Sequence, residues 1–376
     1  MIPIHGTCAP RFTPVKAAFE NNFLMQDDIG ASVAITHEGS FVVDLWGGHT
    51  SRDKTEEWAE DTIINVWSST KTMAAMSLLL LADRGAVDLH APVSHYWPEF
   101  AAAGKDKVEV RHFLSHSAGL SGMDEPVASE ALYDWAWMTG ALAAQAPWWE
   151  PGTVSGYHAL TQGYLIGEVV RRVTGQSIGN FFRQEIAEPV EADFHIGPPE
   201  ACFPRICDLT PPANPIQVGD DGSIASRSFA NPAVDISATF TEAWRRAEIP
   251  AANGHGNARS IVRAQTAMAN GGEAFGRQLL SEAGTARIFE QQTNGVDLVL
   301  GIPMTFGMGY GISNPDMPMG PNKRICFWGG YGGSIVLIDQ DARLCISYVM
   351  NRMEPGLVGD TRGMSLVMAA YMSLMS

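Results

Sequence analysis

Basic residues are scarce in this chain of 376 residues, which has 25 Lys and Arg against 41 Asp and Glu and a formal net charge of −16. No run of Lys or Arg interrupts that acidic balance, so the composition argues against a nucleic acid or an anionic membrane as partner. No window of eighteen uninterrupted apolar residues occurs, so the sequence predicts no membrane-spanning helix. The expected ligand is a small molecule of little net charge.

Cysteines are also few, and their number is odd: Cys8, Cys202, Cys207, Cys326 and Cys345. Scattered thiols in a long chain favour reduced cysteines in the cytoplasm over a disulfide framework. Cys202 and Cys207 are too far apart for a C-x-x-C site and no His cluster joins them, so we expect no metal. The opening "MIPIHGTCAPRFTP" lacks the basic and apolar regions of a signal peptide, which also predicts a cytoplasmic protein.

Two segments near opposite ends of the chain have the pattern of antiparallel strands. In "GASVAITHEGSFVVDLWGGH", β-branched runs flank His37-Glu38-Gly39, which predicts a hairpin. Near the C-terminus the pattern recurs in "KRICFWGG" and "SIVLIDQDARLCISYVMN". We expect all of these segments to share one sheet, and the apolar stretch "SLVMAAYMSLM" to form a helix that covers it.

The middle of the chain has helical periodicity instead. "TMAAMSLLLLADRG" places apolar residues three and four apart and ends at Gly85, and "ALYDWAWMTGALAA" and "LTQGYLIGEVVRRVTG" are similar. We therefore expect an α/β (α+β) fold, an antiparallel sheet flanked by helices with an inserted helical domain. The predicted division is residues 1–83 and 186–376 for the α/β domain and 84–185 for the helical domain. The Pro-, Gly- and Asp-rich region 198–250 predicts long loops at a site entrance.

The stretch "NVWSSTKTM" places three hydroxyls just before a lysine. The periodicity starts a helix near Ser68, and residues three apart share a helix face, so Ser68 should reach Lys71 while Ser69 and Thr70 point elsewhere. A serine at a helix N-terminus lies among unpaired backbone N–H groups, and a desolvated lysine can act as its base. Taken alone, however, S-x-x-K is more typical of an ordinary helix cap.

Two distant segments favour a catalytic role for Ser68 over the role of a helix cap. Tyr157 follows a Pro-Gly turn just before a predicted helix, where its hydroxyl could relay a proton for the Ser/Lys pair; standing alone it would be a core aromatic. The segment "FWGGYGG" places Gly329 and Gly330 after Trp328 on a predicted strand. Glycines weaken a strand unless another backbone or a ligand approaches closely, and the alternative is a β-bulge.

Ser68-x-x-Lys71, Tyr157-His158-Ala159 and Trp328-Gly329-Gly330, in this order and at these wide separations, resemble the serine β-lactamase/penicillin-binding superfamily. Within it, the sequence is most similar to the class-C-like carboxylesterases called family VIII. Flanking stretches such as "LLADRGAVDLHAPV", "HFLSHSAGL" and "FGMGYGI" agree, so the resemblance spans nearly the whole chain.

The resemblance implies a role for each matching position. Ser68 would be the acylated nucleophile, Lys71 its base, and Tyr157 would share the proton transfer. The oxyanion hole would use the backbone N–H of Ser68 and that of Tyr331, with Gly330 as the second choice. Trp328, Gly329 and His158 would contact the substrate. Neither a cofactor nor a metal is implied.

The departures from the superfamily pattern indicate the substrate. Ala159 stands where S-D-N or Y-x-N has an amide, and Trp328 stands where β-lactamases and peptidases have the lysine of K-T-G. Losing that positive charge favours a neutral ester over a substrate with a carboxylate. We therefore expect a carboxylesterase. The alternatives are a β-lactamase or D-amino-acid peptidase or amidase, an acyltransferase, and a non-catalytic binding protein. The oligomeric state stays open, a homo-oligomer included.

Three other patterns are predicted to be structural. Gly175-Gln-Ser177-Ile-Gly179 fits the G-x-S-x-G nucleophile elbow, but a helical segment precedes it where the elbow needs a strand. Gly175 should end one helix and Ser177 should cap the next. His112 and His116 are four apart, as metal ligands can be, but no H-E-x-x-H is present. "GMG" at 307–309 lacks the third glycine of a dinucleotide fingerprint.

Overall fold

Strands from both ends of the chain meet in one antiparallel sheet, in a computed structural model that describes residues 2–215, 219 and 221–376. The described strands are Ile4–Cys8 (β1), Gly30–His37 (β2), Ser40–Gly48 (β3), Ile63–Asn65 (β4), His195–Ile196 (β5), Ile206–Cys207 (β6), Gly254–Gly256 (β7), Glu273–Ala274 (β8), Arg277–Gln278 (β9), Thr293–Val296 (β10), Pro303–Phe306 (β11), Gly311–Ile312 (β12), Ile325–Gly329 (β13), Ile335–Asp339 (β14) and Leu344–Met350 (β15). The large sheet has the order β1-β3-β2-β15-β14-β13-β12-β11-β10 among the described residues.

The central pairing of this sheet joins the two ends of the chain, as the sequence predicted. Residues 31–37 of β2 pair with residues 344–350 of β15. The β2–β3 hairpin turns at Glu38 and Gly39, which have φ of 52° and 78°. Positive φ at both central residues gives a turn whose twist matches that of the strands. Every residue of β13, β14 and β15 is buried, so both faces of the sheet are covered.

Helices cover the two faces of the sheet. The described α-helices are Thr13–Met25 (α1), Thr70–Asp83 (α2), Arg111–Leu114 (α3), Trp135–Ala144 (α4), Thr161–Thr174 (α5), Ile178–Phe182 (α6), Ile224–Ala230 (α7), Glu242–Arg246 (α8), Ala258–Ala269 (α9), Glu282–Ala286 (α10) and Thr361–Met375 (α11). The terminal helices α1 and α11 pack on each other, and α9 packs against β2, β14 and β15. The predicted fold class is therefore confirmed.

Helix α2 lies in the interior of the molecule. All its residues from Thr70 to Ala82 are buried, and it packs against α5, α6, α9 and α10. A helix that is apolar on all sides belongs in a core. It ends before Gly85, whose φ of 72° suits glycine. A small sheet of order β5-β7-β4-β6 adjoins it, and β4 leads into its N-terminus.

The predicted loop region 198–250 is more structured than expected. It contains β6, α7 and α8 as well as the 3-10 turns Glu200–Arg205 and Ile236–Phe240. Single side chains such as Trp244 and Cys202 are buried from these otherwise polar segments, which composition alone does not reveal. Residues 216–218 and 220 of this region lie outside the described residues. The division at 83/84 and 185/186 stays a prediction. Among the described residues, no helix has the length and apolar character needed to cross a bilayer.

Candidate active site

A sharp turn between β4 and α2 holds the predicted nucleophile. Trp67–Ser69 form a 3-10 turn, and Trp67 has a φ of 49°. A bulky residue in this left-handed region costs about 1–3 kcal/mol and persists only where neighbouring contacts hold it. Ser68, which follows directly, is 9% exposed. The backbone strain is therefore stored next to the predicted reactive hydroxyl.

The three hydroxyls of the segment have three different partners. Ser68 Oγ lies 3.1 Å from Lys71 Nζ and 2.6 Å from the Tyr157 hydroxyl. Ser69 Oγ lies 2.9 Å from the Ser334 hydroxyl. The Thr70 hydroxyl donates to the Trp67 carbonyl and accepts from the backbone N–H of residue 254. No side chain caps the start of α2, so the capping function considered for Ser68 is not observed.

Lys71 is a buried amine held by acceptors. Its Nζ lies 2.7 Å from the Ala159 carbonyl oxygen and 2.9 Å from that of Ala251, besides its contact with Ser68. Burial lowers the pKa of Lys71 well below its usual 10.5. A neutral amine has two N–H groups and one lone pair. The two carbonyls can accept the N–H groups, which leaves the lone pair for the proton of Ser68.

Tyr157 completes the contact with Ser68 from the other side. Burial raises the pKa of its hydroxyl above the usual 10, and the bond to Ser68 and the nearby Trp328 indole oppose this rise. Tyr157 is therefore a neutral phenol that donates its hydrogen to Ser68 Oγ. Ser68 can then donate its own hydrogen to Lys71, so the three groups form a directed chain of hydrogen bonds.

Asp297 holds the backbone of Tyr157 in place, and sequence reasoning missed it. Its Oδ1 accepts from the backbone N–H groups of Tyr157, Val299 and Leu300 at 3.0, 2.9 and 2.9 Å. The carboxylate is fully buried, and its Oδ2 has no hydrogen-bond partner among the described residues. An aspartate that accepts from N–H groups two and three residues later is a common loop signal. The contact with Tyr157, 140 residues away, leaves no local trace in the sequence.

A cavity of about 430 Å³ opens above Ser68. Its described lining is Trp67, Ser68, Tyr157, Ala159, Leu160, Pro211, Pro215, Ser228, Phe229, Pro232, Val234, Asp235, Ile236, Ala252, Tyr331 and Leu357. Most of these side chains are apolar, and none of the lining residues that the structure describes is Lys or Arg. Much of the wall comes from the region that the sequence placed at a site entrance. The volume is in the range of small-molecule sites.

The glycine-rich segment after β13 packs against the nucleophile turn. A Cβ on Gly330 would lie 2.2 Å from the Val66 carbonyl oxygen, so only glycine fits there. The Gly330 N–H donates to the Ser334 carbonyl at 2.8 Å, which removes this second choice for the oxyanion hole. Tyr331, the first choice, lies in the cavity wall with Ser68.

Trp328, Gly329 and His158 do not lie in the cavity wall formed by the described residues. Trp328 is 2% exposed and packs behind Tyr157, with the two ring centroids 5.3 Å apart. A Cβ on Gly329 would contact the backbone of residues 358–359. The Nε2 of His158 accepts from the Leu120 N–H at 3.1 Å, and its Nδ1 bonds to the carbonyl of residue 156. These three residues therefore lie behind the cavity wall and support it. The predicted position in direct contact with the substrate is not what the structure has for them.

The geometry agrees with the structural roles predicted for the other motifs. Gly175 ends α5 with a φ of 73°. Ser177 caps α6 by accepting from the Asn180 N–H, and its hydroxyl bonds to Glu248 at 2.6 Å. His116 Nδ1 accepts from the backbone N–H of residue 158, so it supports the segment that carries Tyr157.

A His residue does join one of the cysteines, contrary to expectation. Asp193, His195 and Cys202 have ligand atoms within 4.8 Å of one another. The Arg205 guanidinium forms hydrogen bonds with both Asp193 and Cys202. Burial alone would raise the pKa of Asp193, but the hydrogen bonds from His195 and Arg205 outweigh it and lower that pKa below its usual 3.8. The cluster is therefore a partly exposed ion-pair network rather than a free ligand set.

The chain belongs to the Beta-lactamase family, whose model matches residues 19–368. It is 41% identical to a protein solved as a family VIII carboxylesterase, with a TM-score of 0.94 over 99% of this chain and 100% of that one. A penicillin-binding protein homologue from Caulobacter crescentus is 37% identical, with a TM-score of 0.93 over 99% of this chain and 100% of that one. The esterase/beta-lactamase LipL of Mycobacterium tuberculosis is 36% identical over 94% of this chain and 84% of its own length. The resemblance inferred from the motifs is confirmed.

Proposed function

We propose that this protein is a serine carboxylesterase that hydrolyses small neutral esters through an acyl-enzyme on Ser68. The observation that carries the proposal is Ser68 Oγ, held between the amine of Lys71 and the hydroxyl of Tyr157 at the base of an apolar cavity. Nucleophile and base lie within hydrogen-bond reach, and the carbonyls of Ala159 and Ala251 orient the base, which is the arrangement typical of an activated nucleophile.

Acylation begins when Ser68 Oγ attacks the ester carbonyl carbon and its proton moves to Lys71 Nζ. The tetrahedral intermediate collapses as the bond to the alcohol oxygen breaks. Tyr157 gives its proton to the departing alkoxide, and the Lys71 ammonium restores it. In deacylation, water attacks the acyl carbon and gives up a proton to Lys71 and Tyr157. The bond between the acyl carbon and Ser68 Oγ then breaks, and Ser68 Oγ takes that proton back. No cofactor takes part in these proposed steps.

The oxyanion of the intermediate would accept hydrogen bonds from the backbone N–H groups of Ser68 and Tyr331. Both residues line the cavity, and the N–H groups in the first turn of a helix have no intrahelical acceptor. Backbone donors already directed at the developing charge need no reorganisation during the reaction, and each typically contributes a factor of about 10²–10³ to the rate.

The lining of the cavity favours a neutral substrate. A carboxylate that enters an apolar cavity without a cation loses its hydration and gains no ion pair. Among the described lining residues the charged one is Asp235, which would also repel a carboxylate. This argument favours an ester over a β-lactam or a peptide C-terminus. The free thiols of the five cysteines favour the cytoplasm as the compartment.

The test compares Ser68→Ala with Ser177→Ala, its matched control in the elbow-like motif. A panel of short-chain aryl esters, lactones and a chromogenic cephalosporin is assayed with the parent and both variants. We expect ester turnover by the parent and by Ser177→Ala, and none by Ser68→Ala with its circular dichroism unchanged. A cephalosporin rate that matches the ester rate would overturn the esterase assignment in favour of a β-lactamase. Product analysis with an added alcohol detects acyl transfer.

A further inference from the structure

A pair of buried serine hydroxyls joins the two segments that carry the proposed oxyanion donors. Ser69, beside the nucleophile, and Ser334, after the glycine-rich turn, are 0% and 2% exposed, with their Oγ atoms 2.9 Å apart. Ser334 Oγ also lies 3.0 Å from the Val66 carbonyl oxygen. These two contacts connect residues 66–69 to the side chain of Ser334, one through the Ser69 hydroxyl and the other through the Val66 backbone carbonyl.

The direction of these hydrogen bonds follows from the number of protons. A serine hydroxyl has one hydrogen, and the carbonyl of Val66 can only accept, so Ser334 donates to Val66. Ser69 must then donate to Ser334 Oγ. Val66 and Ser69 lie on either side of Trp67 and Ser68, so the pair holds the strained turn from both ends. Strained backbone needs such outside support to persist.

Ser334 is equally fixed on the other segment. Its carbonyl accepts from the Gly330 N–H at 2.8 Å, and the Gly330 carbonyl accepts from the Gly333 N–H at 3.1 Å. These bonds close a turn around Tyr331. A Cβ on Gly330 would lie 2.3 Å from Ser334 Oγ, so the turn packs directly on the hydroxyl pair. A displacement of Ser334 would therefore move Tyr331 relative to Ser68.

We infer that Ser69 and Ser334 are positioning residues that set the separation between the backbone N–H groups of Ser68 and Tyr331. This inference rests on the proposed function, because those two N–H groups form the proposed oxyanion hole. Neither hydroxyl touches the substrate, since neither residue lies in the described cavity wall. Two of the three hydroxyls of the motif then contribute to the reaction, Ser68 as nucleophile and Ser69 as part of this pair.

The first variant is Ser334→Ala, which removes the bonds to Val66 and Ser69 but keeps the backbone turn. A displacement of about 1 Å can cost about 100-fold and a lost donor about 10²–10³, so we expect kcat to fall about 10- to 100-fold, with KM nearly unchanged. Ser69→Ala keeps the bond from Ser334 to Val66 and should have a smaller effect. The double variant should be no slower than Ser334→Ala, because the hydroxyls act as one unit.

A second readout separates positioning from general damage to the fold. A boronic acid forms a tetrahedral adduct on Ser68 and needs the oxyanion hole, whereas a product alcohol binds in the cavity without it. We expect boronate affinity to fall with kcat/KM in both single variants and alcohol affinity to stay constant. Ser347→Ala is the matched control, because Ser347 is a fully buried serine whose hydroxyl has no partner among the described residues.

Three results would overturn the inference. The first is a kcat within twofold of the parent in Ser334→Ala. The second is an equal loss of boronate and alcohol affinity, which would indicate a purely structural effect. The third result applies if Ser334→Ala does not fold, in which case Ser69→Ala is the only informative variant. Unchanged boronate affinity and unchanged kcat in Ser69→Ala would then overturn the inference. A parent that binds boronate but hydrolyses no ester would contradict the proposed function instead, since the boronate comparison does not depend on the ester.

Discussion

The Tyr157→Phe variant isolates one hydroxyl of the proposed active site. The change removes the 2.6 Å hydrogen bond to Ser68 Oγ. It keeps the ring, which packs against Trp328 and His116 at centroid distances of 5.3 and 5.0 Å. A typical intramolecular hydrogen bond contributes about 0.5–1.5 kcal/mol to stability. The free energy of unfolding should therefore fall by no more than about 1.5 kcal/mol, and the variant should remain folded.

The expected loss of activity is much larger than the loss of stability. Proton transfer by a positioned side chain contributes about 10²–10⁴-fold to the rate, which corresponds to about 2.7–5.4 kcal/mol of activation free energy. The loss should also depend on the leaving group. In the proposed mechanism an alkoxide needs a proton from Tyr157 to leave, whereas a nitrophenolate is stable enough to leave without one. An alkyl ester should therefore lose more activity than a nitrophenyl ester with the same acyl group.

The assay measures kcat/KM of the parent and Tyr157→Phe on such a matched pair of esters. Lys71→Met serves as the comparison variant, because loss of the base should slow both esters by the same factor. Equal losses on the two esters in Tyr157→Phe would refute proton delivery to the leaving group. A variant with parental activity on both would show that Tyr157 has no part in the reaction.

Two further predictions concern buried ionisable groups. Because burial lowers the pKa of Lys71 in the folded chain, the unfolded chain binds more protons between that lowered pKa and about 10.4. The free energy of unfolding should rise with pH across this window with a contribution of about 1.4 kcal/mol per pH unit, and urea titrations should find that contribution missing in Lys71→Met. Arg362→Gln leaves the fully buried Asp28 without its 2.7 Å ion pair and should lower stability by about 3–5 kcal/mol. A loss below about 1 kcal/mol in urea unfolding would contradict this.

Features that repeat along the chain could be predicted from the sequence. Helical spacing separated Ser68 from its two neighbours, because an interval of three residues returns a side chain to the same face. The β-branched runs at both ends indicated one sheet, and β2 does pair with β15. Such periodic signals are local, so a single sequence contains them.

Features that depend on the direction of a side chain could not be predicted. The motifs located Trp328 and His158 along the chain, but both side chains turn away from the cavity into the core behind Tyr157. The backbone hydrogen bond from the Gly330 N–H to the Ser334 carbonyl, which argues against Gly330 as an oxyanion donor, also leaves no trace in the sequence. Asp297 and Ser334 were missed because each acts through a partner more than a hundred residues away.

The covalent intermediate on Ser68 is the central claim, and intact-mass spectrometry tests it most directly. The parent protein is mixed with a nitrophenyl ester, quenched in acid during turnover and weighed, and the modified peptide is then sequenced. The account predicts a mass increase of one acyl group on Ser68, with no increase in Ser68→Ala. An acyl group on another residue such as Ser177, or rapid turnover with no adduct at any quench time, would contradict it.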